Sequence, residues 1–596
     1  VLMRRAPGGE PEAVTPAGTN VRTRVHEYGG GAWCLAGPDV VLFVDFTDQR
    51  LYRQRLGEEP VPVSPEAPES GALMYADMHP LPDGSTVVCV RERHGEGEAV
   101  NEIVRLPLDG SGEAQVLVGG RDFYSFPRIS PDGAWLAWTC WDHPNMPWDG
   151  TELWIAPLED PGRARLVAGG PEESIFQPEW SPDGRLHFAS DRDGWWNLYR
   201  EEEGTPARLT EEEADFAHPQ WLFGGATYAF TDSGAIVCVR CERGEERLFL
   251  LEPGGGEPVD LGLPFTAFGY PVLSARGSAV AFAAASPESE PAIVLYDVES
   301  RETEVVRDSS DEPVDPAYVS RPRPVEFPTG DGDGEVAYGF YYPPANPEFE
   351  APEGEAPPLI VESHGGPTSH ATPALDTEFL YWTSRGFGVV DVNYRGSSGY
   401  GREYRNKLRG TWGVVDTEDC VNAALHLAER GDADRERLAI RGGSAGGYAT
   451  LCALTFHDAF ATGASYYGVA DAETLARDTH KFESRYLDRL IGPYPEQAEL
   501  YRERSPINHV ERLRAPVILF QGLEDEVVPP NQAETMVAAL ERNGVPHAYV
   551  AFEGEQHGFR RAETNIRCLE AELYFYGRIM GFEPAGDPEP VEIAGL

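Results

Sequence analysis

A chain of 596 residues carries a soft expectation of about four domains, and a hydrophobic content of 41% supports packed cores rather than disorder. Its 49 basic and 99 acidic residues leave a net charge of −50, which argues against nucleic-acid binding and against docking on anionic membranes. No apolar run approaches the ~18 residues that a membrane-spanning helix requires.

The acids are spread along the chain, and Lys407 and Lys481 are its two lysines. This pattern reads as adaptation to a host environment more than as a binding surface. The eight cysteines are sparse, which suits a reducing cytoplasm. Cys238 and Cys241 have C-x-x-C spacing but lie in a strand-like run without a second pair, so they read as structural. The chain opens on Val1 rather than Met and is expected to be truncated at its N-terminus.

The N-terminal half is repetitive. Phe126-Pro127-Arg128-Ile129-Ser130-Pro131-Asp132-Gly133 recurs as Gln177-Pro178-Glu179-Trp180-Ser181-Pro182-Asp183-Gly184. Weaker copies start at Pro80, Pro219 and Pro271, and these prolines recur every 41 to 52 residues. Each S-P-D-G turn is followed by alternating, strand-like sequence. Short strands at that period predict a β-propeller over residues 1–310. Six units start near Tyr28, Pro80, Pro127, Pro178, Pro219 and Pro271, and residues 1–16 read as the closing strands of another, incomplete blade. Two acidic sites in this half are candidates for pairing with a substrate ammonium group. They are Glu27, in His26-Glu27-Tyr28-Gly29-Gly30-Gly31, and Glu173, in Glu172-Glu173-Ser174.

A polar, proline-rich stretch, 311–324, predicts the linker to a second domain over 325–585, with a tail at 586–596. Leu359 to Ser363 reads as a strand that runs into His364-Gly365-Gly366-Pro367. Glycines there let backbone amides approach a substrate oxygen, and Gly366 is the expected donor. Gly442-Gly443-Ser444-Ala445-Gly446-Gly447 follows a short apolar run and precedes a helical one. Strand, sharp turn and helix with serine at the turn form a nucleophile elbow, and the Ala445 amide would be the second oxyanion donor. Downstream, Pro516 to Phe520 leads into Glu524-Asp525-Glu526, and His547 to Phe552 leads into His557. The order serine, acid, histidine, each on a loop after a strand, is that of an α/β-hydrolase. A serine hydroxyl needs an imidazole to accept its proton and a carboxylate to orient that imidazole. Loop position favours Asp525, although Glu524 and Glu526 are rivals by composition.

The region from Val325 to Glu583 resembles the catalytic domain of the prolyl oligopeptidase family of serine peptidases, in particular its bacterial and archaeal acylaminoacyl-peptidase-like branch. The residues carrying the resemblance are His364 to Pro367, Asn393-Tyr394-Arg395-Gly396-Ser397-Ser398-Gly399-Tyr400-Gly401, the elbow, Asp525 and His557. The resemblance selects Asp525 as the orienting acid. It implies a propeller of about seven blades, the first one incomplete here, that admits only short peptides to the site. It implies an oligopeptidase or exopeptidase of acylaminoacyl- or dipeptidyl-peptidase type. Tyr394 and Arg395 read as loop braces. Tyr466 and Tyr467 are candidates for lining the specificity pocket, with Phe482 and Tyr486 behind them. Acyl-peptide hydrolases often place an arginine two positions after the catalytic Asp, and Val527 stands there in this chain.

The expected partners are short peptides, without nucleic acid or membrane, and a homo-oligomer is compatible with the sequence. The expected chemistry needs neither metal nor cofactor. The alternatives are a broad esterase on the same scaffold and a catalytically silent binding protein.

Overall fold

The computed structural model describes every residue except 271, 331 and 333, so the repeat start assigned to Pro271 lies outside the described residues. The N-terminal half folds as six four-stranded antiparallel sheets arranged as propeller blades. Their strands run over 33–62, 73–118, 123–169, 175–208, 228–260 and 274–308. The proline repeat has a structural reason. In the third and fourth blades the innermost strands, Phe123–Ile129 and Ile175–Trp180, break register between Ser125 and Arg128 and between Phe176 and Glu179. Pro127 and Pro178 occupy these bulges, where a residue without an N–H costs no ladder hydrogen bond.

The blade count differs from the expected seven. Residues 1–13 supply a two-stranded hairpin, Met3–Arg4 with Glu12–Ala13, rather than the strands of a further blade. It bridges the ends of the ring. Arg5 donates to the Val306 carbonyl of the sixth blade, and Gln54 of the first blade donates to the Val14 carbonyl.

The last strand of the propeller ends at Asp308, and the C-terminal sheet begins at Arg323. That sheet has eight strands: β1 (Arg323–Pro328), β2 (Val336–Tyr342), β3 (Leu359–Ser363), β4 (Gly388–Asn393), β5 (Leu438–Gly443), β6 (Thr462–Tyr466), β7 (Val517–Gly522) and β8 (His547–Phe552). Their spatial order is β1-β2-β4-β3-β5-β6-β7-β8. The β1–β2 and β2–β4 pairs are antiparallel, and the rest are parallel. Helices cover both faces, so β4 and β7 are buried along their whole length, and apolar residues dominate both, with Asp391, Asn393 and Gln521 as the buried polar exceptions. Parallel order brings the C-terminal ends of β3, β5, β7 and β8 to one edge, under the propeller. The tail returns to the sheet where Ala594 bridges His547. Among the described residues no helix is long and apolar enough to cross a membrane.

Candidate active site

Ser444 sits between β5 and the helix Ala445–Phe456 with φ 57° and ψ −116°, a conformation that L-residues rarely hold. The turn persists because its surroundings fix it. Ser444 N–H donates to the Tyr466 carbonyl at 2.9 Å, and Tyr448 N–H donates to the Ser444 carbonyl at 3.0 Å. A Cβ on Gly446 would lie 1.9 Å from the Ser363 carbonyl oxygen, so the elbow packs against β3 only with glycine there.

The structure brings Ser444, His557 and Asp525 into one hydrogen-bonded chain. His557 Nε2 lies 2.9 Å from Ser444 Oγ, and His557 Nδ1 lies 2.8 Å from Asp525 Oδ2. The other carboxylate oxygen of Asp525 accepts the backbone N–H groups of Val527 and Val528, both at 2.9 Å. Asp525 is thus buried with both oxygens committed, and its orientation is fixed. The rivals are placed elsewhere: Glu526 pairs with Arg24 at 2.5 Å, and Glu524 lines the outer cleft.

Gly366 and Ala445 line the same cavity as Ser444. Among the described residues neither amide N–H is taken by a protein acceptor, and Ala445 opens a helix whose dipole presents its positive end. The Gly366 loop is braced from behind. Tyr394 stacks on His364 at 4.1 Å, and its hydroxyl contacts the Pro367 carbonyl at 3.0 Å. Arg395 turns away to Asp419, Glu335 and Glu418, which makes it a loop brace as well.

The pocket beside Ser444 has an apolar floor from Trp412, Val469, Leu475, Tyr486, Leu487 and Leu490. Tyr486 is fixed by a 2.6 Å hydrogen bond to Thr368. One acid faces this pocket, Glu483. It accepts a 2.8 Å hydrogen bond from Tyr28 of the propeller. Burial pushes its carboxyl up to about 7, against the opposing Tyr28 hydrogen bond and the charge of His557. The sequence offers no signal that separates Glu483 from 98 other acids, because it is defined by its neighbours rather than by a motif.

Tyr28 comes from the segment His26 to Gly31. A Cβ on Gly30 would lie 2.3 Å from the Phe223 carbonyl oxygen, and His26 and Glu27 hold φ of 56° and 68°. The loop therefore hugs the blades and points Tyr28 at the hydrolase domain. Glu27 lines a second cleft with His557, Glu526 and Arg560. It pairs with Arg24 at 2.7 Å, and burial raises its carboxyl despite that arginine.

Other expected residues lie elsewhere. Tyr466 does not reach the pocket. It ends β6 facing the sheet's far layer, stacks on Phe520 at 4.5 Å and donates to Glu572 at 2.5 Å. Tyr467, the next residue, projects toward the triad with its ring 4.9 Å from that of His557. Glu173 binds Arg192 at 2.7 Å, and Glu172 pairs with Arg409 and Arg489 across the domain boundary. Both acids are held by arginine and neither lines the Ser444 cavity. Phe482 packs among His26, Phe123 and Trp141 of the propeller. Val527 lines both the pocket and the cleft, where it supplies apolar surface instead of a guanidinium.

The profile of the prolyl oligopeptidase family matches residues 373–583. Dipeptidyl aminopeptidase BIII of Pseudoxanthomonas mexicana is 30% identical over 274 residues, covering 45% of this chain and 39% of that protein. The acylamino-acid-releasing enzyme of Arabidopsis thaliana is 30% identical over 227 residues, 36% of this chain and 29% of the relative. The chain therefore spans about two fifths or less of these curated relatives. Similarity to solved structures extends further. A Mycobacterium tuberculosis puromycin-hydrolyzing peptidase is 43% identical with a TM-score of 0.94, covering 98% of this chain and 92% of that one. A crystal structure of puromycin hydrolase gives 43% identity, a TM-score of 0.93 and coverage of 99% and 92%. With that identity held over both domains, the chain belongs to the prolyl oligopeptidase family of serine peptidases.

Proposed function

We propose that this chain hydrolyses short peptides or aminoacyl amides that carry a free amino end, with Ser444 as nucleophile and the propeller restricting access. The observation that carries the reading is the hydrogen-bonded line from Asp525 through His557 to Ser444, at 2.8 and 2.9 Å. Ser444 attacks the substrate carbonyl while His557 takes its proton and Asp525 holds the imidazolium. The Gly366 and Ala445 amides donate to the oxyanion. His557 then protonates the leaving amine, and water repeats the sequence on the acyl-enzyme.

The apolar pocket favours a large apolar side chain at the scissile residue, and Glu483 supports recognition of an ammonium group beside it. The names of the puromycin-hydrolysing relatives fit this reading, since puromycin is an aromatic aminoacyl amide with a free amine. The eight unpaired cysteines suit a reducing compartment such as the cytoplasm.

A fluorophosphonate probe tests the nucleophile: labelling is expected in the wild type and absent in Ser444→Ala. Puromycin and paired free-amine and N-acetyl phenylalanyl amides then test the end recognised. Equal turnover of the acetylated partners would refute the free-amine reading while leaving the hydrolase intact.

A further inference from the structure

Away from the triad, three donor side chains from both domains converge on one buried point. His218 lies between the fourth and fifth blades, Glu246 on the fifth-blade strand Glu245–Leu251, and His370 four residues past Gly366 in the hydrolase domain. His218 Nε2 is 2.9 Å from Glu246 Oε1, and His370 Nε2 is 3.4 Å from the same oxygen. One ligand atom from each of the three lies within 4.8 Å of the others. The side chains are 9%, 1% and 6% exposed for His218, Glu246 and His370.

The opposite ends of two of these groups are pinned. His370 Nδ1 contacts Ser398 Oγ at 2.8 Å, and Glu246 Oε2 accepts the Phe268 N–H at 2.5 Å. His370 Nε2 and Glu246 Oε1 are thereby turned toward the shared point, as outer partners turn metal ligands. His218 Nε2 and Glu246 Oε1 are close but make no well-formed hydrogen bond. Buried polar atoms in that condition call for a further partner. The Cys241 thiol flanks the group, its sulfur 3.7 Å from His370 Nε2. Cys238 does not take part, because residues three apart on a strand face opposite sides.

Two imidazole nitrogens and one carboxylate oxygen are the donor set of a three-ligand zinc centre. With bonds of about 2.0–2.2 Å, tetrahedral ligand atoms stand roughly 3.3 Å apart, close to the spacings found here. We propose that His218, Glu246 and His370 bind one divalent first-row metal ion, zinc by preference, at the propeller–hydrolase interface. This departs from the sequence-based expectation of no metal, since three ligands scattered over two domains leave no motif. The ion braces the loop carrying Gly366 against the fifth blade and takes no part in the chemistry.

Full-length protein, stripped with chelator and reloaded with Zn²⁺, provides the test. After gel filtration, elemental analysis is expected to find about one more zinc per chain in the wild type than in Glu246→Gln or His370→Gln. Zinc is expected to raise the wild-type melting temperature and not that of the variants. Co²⁺ in place of zinc is expected to give the visible absorption of a tetrahedral site in the wild type. Exposed Glu58→Gln controls for loose binding to the acidic surface and is expected to match the wild type. A wild type that retains no more zinc than Glu246→Gln, with no thermal shift, would overturn the site and leave a buried imidazole–carboxylate pair. Should either variant fail to fold, an absent Co²⁺ spectrum in the wild type overturns it equally.

Discussion

Tyr28, on the propeller, donates a 2.8 Å hydrogen bond to Glu483, on the hydrolase domain, so the acid lining the Ser444 pocket is held in place by the other domain. Glu483 is pushed up to about 7 by burial. A carboxylate that pairs with an ammonium must be ionised, so binding weakens as pH falls. KM for free-amine substrates is expected to rise by about tenfold per pH unit below about 7, and to stay flat for acetylated ones. Glu483→Gln is expected to abolish that dependence. Tyr28→Phe removes a contact that lowers the carboxyl, so the midpoint is expected to move up. Initial rates against pH on both substrate types check each point. The sign for stability is the reverse of a salt-bridged acid: the contribution of Glu483 is present below its unfolded range and lost as pH rises through about 7.

Asp525 holds His557 Nδ1 and accepts two backbone amides. Asn at this position keeps the shape but can present an N–H to the imidazole and favour the wrong tautomer. Asp525→Asn is expected to lower kcat by about 10⁴-fold with little change in KM. Single-turnover kinetics on a chromogenic amide measure it.

Tyr394 braces the Gly366 loop through its contact to the Pro367 carbonyl. Tyr394→Phe removes the hydroxyl and leaves the ring on His364. Loss of oxyanion positioning is expected to reduce kcat by roughly ten- to a hundredfold and to change KM little. A purely structural role would instead lower the melting temperature and leave kcat alone.

Asp191 is the shared counter-ion of Arg402 and Arg405, at 2.5 and 2.6 Å, in a site closed to solvent. Asp191→Asn leaves two buried guanidinium groups short of charge. The expected cost is about 3–5 kcal/mol, read from denaturant unfolding.

The sequence made the chemistry legible because each triad residue follows a strand, and strand ends of a parallel sheet meet at one edge. It made the blades legible because the bulge proline and the S-P-D-G turn repeat. Blade number was less legible, since the strand-like stretches within residues 1–16 pair only with each other, Met3–Arg4 with Glu12–Ala13, and strand-like composition does not distinguish a lone hairpin from part of a blade. Tyr466 was misplaced as a pocket residue because adjacent residues leave a strand end on opposite sides, and composition does not say which side faces the substrate. Glu483 and the group around Glu246 escaped notice because burial and partners from the other domain define them.

The domain boundary is not held evenly around its rim. On one side Asp191 clasps Arg402 and Arg405 in a dry interior, and Arg409 meets Asp149 at 3.0 Å. Near His557 an ion pair across the boundary is Arg24 with Glu526, 34% and 68% exposed, a pair that water and salt readily screen. The ion pairs across the boundary therefore differ in salt sensitivity: added salt weakens the Arg24–Glu526 pair and leaves the enclosed Asp191 cluster largely intact.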